Sequence, residues 1–158
     1  MSKSDNSYTI FEGSFLTPLP VLDRTINILM YRDPDNHEYQ FIINRAVLEE
    51  EQTIEEWCQS EMDSLLNRLP GFQIEGKLLK DEIGPAKLST VQVANRYLNN
   101  GKVIRQVQSI LRLPQNKHYN PGGRDIIIFT LNAEDEFTEH QRRHYVSVIN
   151  NFTPDTDD

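Results

Sequence analysis

Two stretches of this chain are apolar on both faces when laid out as strands. In residues 25–31, Ile26, Ile28 and Met30 fall on one side, and Leu29 and Tyr31 on the other. Residues 103–111 repeat the pattern. Val103, Val107 and Leu111 oppose Ile104 and Ile110, and the latter side also carries Gln106 and Gln108. A half-solvated antiparallel strand alternates apolar with charged side chains, so these strands call for cover on both faces. Only two amphipathic helices are legible, enough for one face of a sheet. The other face, apolar with amides set into it, is left in need of a partner.

The remaining elements follow from turn and cap chemistry. A short strand from Tyr8 to Phe15 ends at Thr17-Pro18-Leu19-Pro20. Strands over 24–32 and 38–48 flank Asp33-Pro34-Asp35-Asn36, a strong turn, and form a hairpin. Thr53 and Glu56 make a capping box ahead of Ile54, Trp57, Cys58, Met62, Leu65, Leu66 and Leu69, which share a helical stripe. Pro70-Gly71 stops that helix. Strands follow over 72–83, 86–98 and 102–113, the last two joined through Asn99-Asn100-Gly101, which favours positive φ. Pro121-Gly122-Gly123 precedes a strand over Asp125 to Leu131. A final helix over 135–152 stripes Phe137, Gln141, Tyr145, Val148, Ile149 and Phe152. There is no repeat, low-complexity block or linker. The expectation is one α+β domain over residues 8–152: a mostly antiparallel, twisted sheet with two helices packed on one face. Residues 1–7 and 153–158 are expected to be flexible.

Composition narrows the function. The formal net charge of −8 repels a phosphate backbone, and no basic stripe offsets it, so nucleic acid is not an expected partner. The lone Cys58 excludes an internal disulfide, and four histidines beside one cysteine are a poor zinc set. Residues 1–15 lack the apolar core of a signal peptide. No apolar run approaches the roughly 18–20 residues that span a bilayer. These readings predict a soluble cytoplasmic protein without stable membrane insertion.

Enzyme signatures fail one by one. In Glu139-His140-Gln141-Arg142-Arg143-His144 the glutamate precedes the first histidine, whereas a zincin needs it directly after. Asn120-Pro121-Gly122-Gly123-Arg124 lacks the Gly-Lys-Ser/Thr ending of a phosphate loop and leads into a strand, so it reads as a turn. Cys58 sits on an apolar stripe, where a thiol is inert packing. No nucleophile elbow is present. No catalysis, metal or cofactor is expected.

Four blocks, in order and at matching spacing, resemble one known family. They are Asp23-Arg-Thr-Ile-Asn-Ile-Leu29, Phe41-Ile-Ile-Asn-Arg45, Leu69-Pro-Gly-Phe72 and Ile104-Arg-Gln-Val-Gln108. Together they resemble the Eag-type effector chaperones of bacterial type VI secretion, also labelled DcrB-related, over Tyr8 to Phe152. The resemblance implies a cytoplasmic homodimer with a fold like Mog1 and PsbP proteins. Such a chaperone binds and shields the N-terminal transmembrane helices of a secreted effector, often of PAAR or Rhs type. It helps load that effector onto the secretion spike, which it reaches only through the effector.

Carried over by position, the effector contacts are Ile26, Ile28, Ile42, Leu69 and Ile104, with Gln106 as polar contact and Asn44 and Gln108 beside it. Parity groups Ile26 with Ile28, Ile42 with Asn44, and Ile104 with Gln106 and Gln108, but does not say whether the three sets share a side. Two positions depart from the family pattern. Asn44 stands where relatives carry serine, and Glu61 where they carry glutamine; Glu61 is left out of the expected site. A different reading of the same surface is a soluble carrier of a lipid or other apolar ligand, which would need a closed pocket.

Overall fold

A computed structural model describes residues 6–157. The chain folds as β1 (Ser7–Ile10), β2 (Gly13–Leu16), β3 (Asn27–Arg32), β4 (Glu38–Val47), α1 (Ile54–Arg68), β5 (Gln73–Ile83), β6 (Leu88–Asn99), β7 (Lys102–Arg112), β8 (Asp125–Glu134) and α2 (Glu139–Asn151). β3 to β8 make one open antiparallel sheet in the order β3-β4-β8-β7-β6-β5. The α+β antiparallel architecture is the expected one.

Local chemistry places the boundaries. The Thr53 hydroxyl accepts from Glu56 N–H while the Glu56 carboxylate accepts from Thr53 N–H, closing the box that starts α1. Asn100 and Gly101 adopt φ of 53° and 79°, the two left-handed positions that let a tight turn follow the strand twist between β6 and β7. α2 starts later than residue 135, because Asp135 turns the chain at φ 58° and Thr138 caps the helix with Gln141. Asp33 is 6% exposed and ties the β3–β4 turn to this cap. It accepts from the backbone N–H groups of Asp35 and His37 and from Thr138 Oγ1.

Three expectations change. The strand over Tyr8 to Phe15 is a hairpin, with Tyr8 opposite Phe15 in a two-stranded sheet of its own. The reversal at Phe11-Glu12 was not visible because neither residue is a turn former.

The helices do not share a face. Ile54, Cys58 and Met62 of α1 pack with Val91, Val93, Ile110, Ile126 and Ile128. Tyr145 and Ile149 of α2 pack with Phe41, Leu111, Ile127, Phe129 and Leu131. Successive residues of β8 thus enter opposite cores. A central strand apolar on both sides needs one helix per face, not two on one.

The tail is also held. Asp155 O accepts from the Asn116 amide and the Tyr119 hydroxyl, and Asp157 accepts from Lys117 N–H. Of the segments expected to be flexible, residues 1–5 and 158 lie outside the described residues.

The half-open face beside the first helix

α1 is too short to cover its side of a six-stranded sheet. It lies over β6 and β7 and one end of β8, leaving the β3–β4 side and the middle of the face open. Directly opposed positions in a sheet point the same way, so register decides which side chains meet there. One row runs Ile28, Ile42, Thr130, Gln108, Val93 from β3 to β6. The next runs Met30, Gln40, Asn132, Gln106, Asn95. Val93 and Asn95 end these rows under α1, where Asn95 Nδ2 lies 3.9 Å from Met62 Sδ.

The structure therefore brings Ile28, Ile42, Asn44, Ile104, Gln106 and Gln108 to one face, the point that parity left open. Asn44 sits opposite Ile128 at one end, and Ile26 lies one residue ahead of β3 with the parity of Ile28. Exposure separates them. Ile28 is 62% and Ile26 52% exposed, whereas Ile104 keeps 9%, between its cross-strand neighbours Tyr97 and Glu134. Leu69 caps the end of α1 and packs on the core beneath that helix. Ile104 is thus buried on this face and Leu69 half-buried beside it, while Ile26, Ile28 and Met30 are exposed and Ile42 is half-buried.

Gln40, Thr130 and Asn132 share this face and were not singled out by sequence reasoning. Their alternation with buried neighbours was readable, but the side they point to follows only from register across four strands. The polar members are incompletely paired. Gln108 Oε1 accepts from Asn95 Nδ2 at 3.2 Å. The buried Oδ1 atoms of Asn95 and Asn132 have no hydrogen-bond partner among the described residues. At the rim, Glu38 pairs with Arg32 and Glu134 with Lys102, each at 3.6 Å. Glu61 is partly exposed and lies 3.8 Å from Arg68.

The remaining reactive side chains have structural partners. Burial, with Glu61 nearby, pushes the Cys58 thiol up to about 11, which keeps it protonated and inert. His144 Nδ1 meets the Tyr39 hydroxyl at 2.8 Å inside a cluster of Tyr31, Tyr39 and Phe41 rings. Asn120 holds the 113–125 turn through Leu113 O, Pro114 O and Asp125 N–H. Among the described residues no three His, Cys, Asp or Glu side chains converge on a metal position, and no helix is long and apolar enough to cross a membrane.

A family model described as DcrB matches residues 12–151. The chain belongs to the DcrB family. A search of curated proteins finds no match. Among solved structures, the DcrB-family chain is similar to PA94 of Pseudomonas aeruginosa, described as a protein of unknown function and candidate regulator. The TM-score is 0.70 at 17% identity, covering 94% of this chain and 96% of that one. It is also similar to LpqN of Mycobacterium tuberculosis, described as involved in cell envelope biogenesis. There the TM-score is 0.48 at 20% identity, covering 84% of this chain and 78% of that one. At these identities the PA94 likeness concerns the fold alone.

Proposed function

We propose that this DcrB-family protein is a cytoplasmic chaperone of the Eag type. It shields the N-terminal transmembrane helices of a type VI secretion effector of PAAR or Rhs type until the effector is loaded onto the spike. One observation carries the reading. The sheet face that α1 leaves half-uncovered gathers Ile26, Ile28, Met30 and Ile42 beside Gln40, Asn44, Gln106, Gln108, Thr130 and Asn132. Burying apolar surface there is worth about 25 cal/mol per Å². The amides add what grease cannot, a fixed position for the bound helix. An open sheet also suits a helix better than a single acyl chain, which would need enclosing walls.

The same reading takes the protein as a homodimer. Eleven of the eighteen exposed large apolar side chains among the described residues fall between Ile10 and Met30. This stretch runs from the end of β1 through β2 into the edge strand β3. A flat apolar edge is rarely left open to water, and a second copy would cover it.

Native mass spectrometry of this chain co-expressed with the apolar N-terminal region of a neighbouring gene's product tests the proposal. Two copies with one client, and an insoluble client in their absence, is the expected result. A lone protein beside an independently soluble client overturns it for that pair, and a co-purifying lipid mass favours the carrier reading instead.

A further inference from the structure

Among the described residues, β1 and β2 hydrogen-bond to each other and to no other strand, and no residue between 6 and 32 is buried. The hairpin is nonetheless amphipathic. Tyr8 opposes Phe15 and Ile10 opposes Gly13 on one side, with the two rings 5.5 Å apart. Ser7, Thr9, Ser14 and Leu16 fall on the other side. Two strands of four residues are marginally stable at best when left alone. At the end of the large sheet, β3 pairs with β4 alone among the described strands, which leaves its outward N–H and C=O groups without a strand.

Resting on the homodimer of the reading above, we infer that two copies exchange these hairpins. Each β1–β2 unit adds to the free β3 edge of the other copy, with Tyr8, Ile10 and Phe15 continuing the apolar side of Ile28 and Met30. A strand edge is best answered by another strand, which supplies backbone donors and acceptors together with apolar surface. The seven large apolar side chains from Ile10 to Leu22 expose the equivalent of about five whole residues, on the order of 800 Å². One partner gives about that area to a standard interface. Two copies at a net charge of −8 each repel overall, but residues 6–22 hold a single charge, Glu12, and β3 a single charge of the opposite sign, Arg32. Between hairpin and β3, residues 17–26 reach at most about 33 Å. Pro18 and Pro20 hold the start of that reach extended rather than turned back toward the chain's own β3. The exchange is isologous, so both hairpins and both edges are used and the assembly closes at two copies. The open face beside α1 then gains a row of side chains from the second copy.

Cysteine cross-linking in the full chain tests the inference, since the one native thiol, Cys58, is buried. Chains carrying Phe15→Cys and chains carrying Met30→Cys, differently tagged and co-expressed, are treated with a short bismaleimide. The expected product is a dimer bearing both tags, with neither variant joined to itself. Leu16→Cys, on the hairpin's other side, should not be joined to Met30→Cys. All three positions are exposed, so the fold should persist. Where circular dichroism shows a loss of fold, Ile10→Cys with Ile28→Cys repeats the measurement. Met30→Cys joined to itself would pair the two β3 edges directly. A chain carrying both Phe15→Cys and Met30→Cys that is linked within itself would put the hairpin on its own β3. Either result, a link through Leu16, or a light-scattering dimer with no link at all overturns the inference and leaves the homodimer standing. A monomer in light scattering overturns both.

Discussion

At the scale of single residues, exposure separates contacts that sequence order treats alike. Ile28 and Ile104 lie on the same face and both belong to the resemblance, yet one is 62% and the other 9% exposed. Ile28→Asp should leave the melting temperature within a few degrees, because a carboxylate there stays in water, and should abolish client capture in the co-expression assay. Ile104→Asp buries a charge and should cost several kcal/mol, lowering the melt whether or not a client is present. Full capture by Ile28→Asp would remove that side chain from the docking face.

Asp33 illustrates a second residue-scale effect, a carboxylate that joins two distant elements. Desolvation raises its pKa, but the backbone N–H of His37, the Thr138 hydroxyl, the His37 charge and the Asp35 N–H together outweigh this and hold it below the ordinary value. A depressed carboxyl stabilises the fold above the unfolded-state pKa of about 3.9 and loses that contribution as pH falls through the folded value. Asp33→Ala should therefore lower the melting temperature at neutral pH and flatten its decline below about pH 4. Parallel acid limbs for the two proteins would show that Asp33 is not the linked group.

At the scale of elements, the two edges of the large sheet are built differently. β5 carries Lys77, Lys80, Asp81 and Glu82, and its pairing slips between Glu75 and Leu79, devices that discourage edge-to-edge association. β3 carries a charge only at its end, Arg32, and pairs without a slip; Ile28, Leu29 and Met30 are all exposed along it. The β1–β2 hairpin forms its own sheet and leaves Ile10, Phe11, Phe15 and Leu16 open. If a second copy covers this region, deleting residues 6–16 should convert a dimer to a monomer in light scattering, with little loss of helix and sheet signal. A truncated protein that stays dimeric would move the interface elsewhere.

At the scale of the whole molecule, the division of labour between the helices creates the open surface. Two helices on one face would have left the other entirely bare. One helix on each face instead leaves a bounded apolar area, walled on one side by α1, with Ile28 and Ile42 beside the amides of β4, β7 and β8. Local chemistry made much of the fold legible beforehand. The Thr53–Glu56 and Thr138–Gln141 boxes, the Asn100-Gly101 turn and the period-2 strands depend on neighbours a few positions apart. The grouping of Ile104, Gln106 and Gln108 was readable for the same reason, since alternation along one strand needs no tertiary information. Alternation cannot say which face of a neighbouring strand it matches. That depends on cross-strand register, on which a one-residue slip would invert every side chain. Hence only once the strands were paired did Asn132 and Gln40 fall on the face of Ile28 and Ile42, Ile104 come to be buried on it, and the helices part to opposite faces.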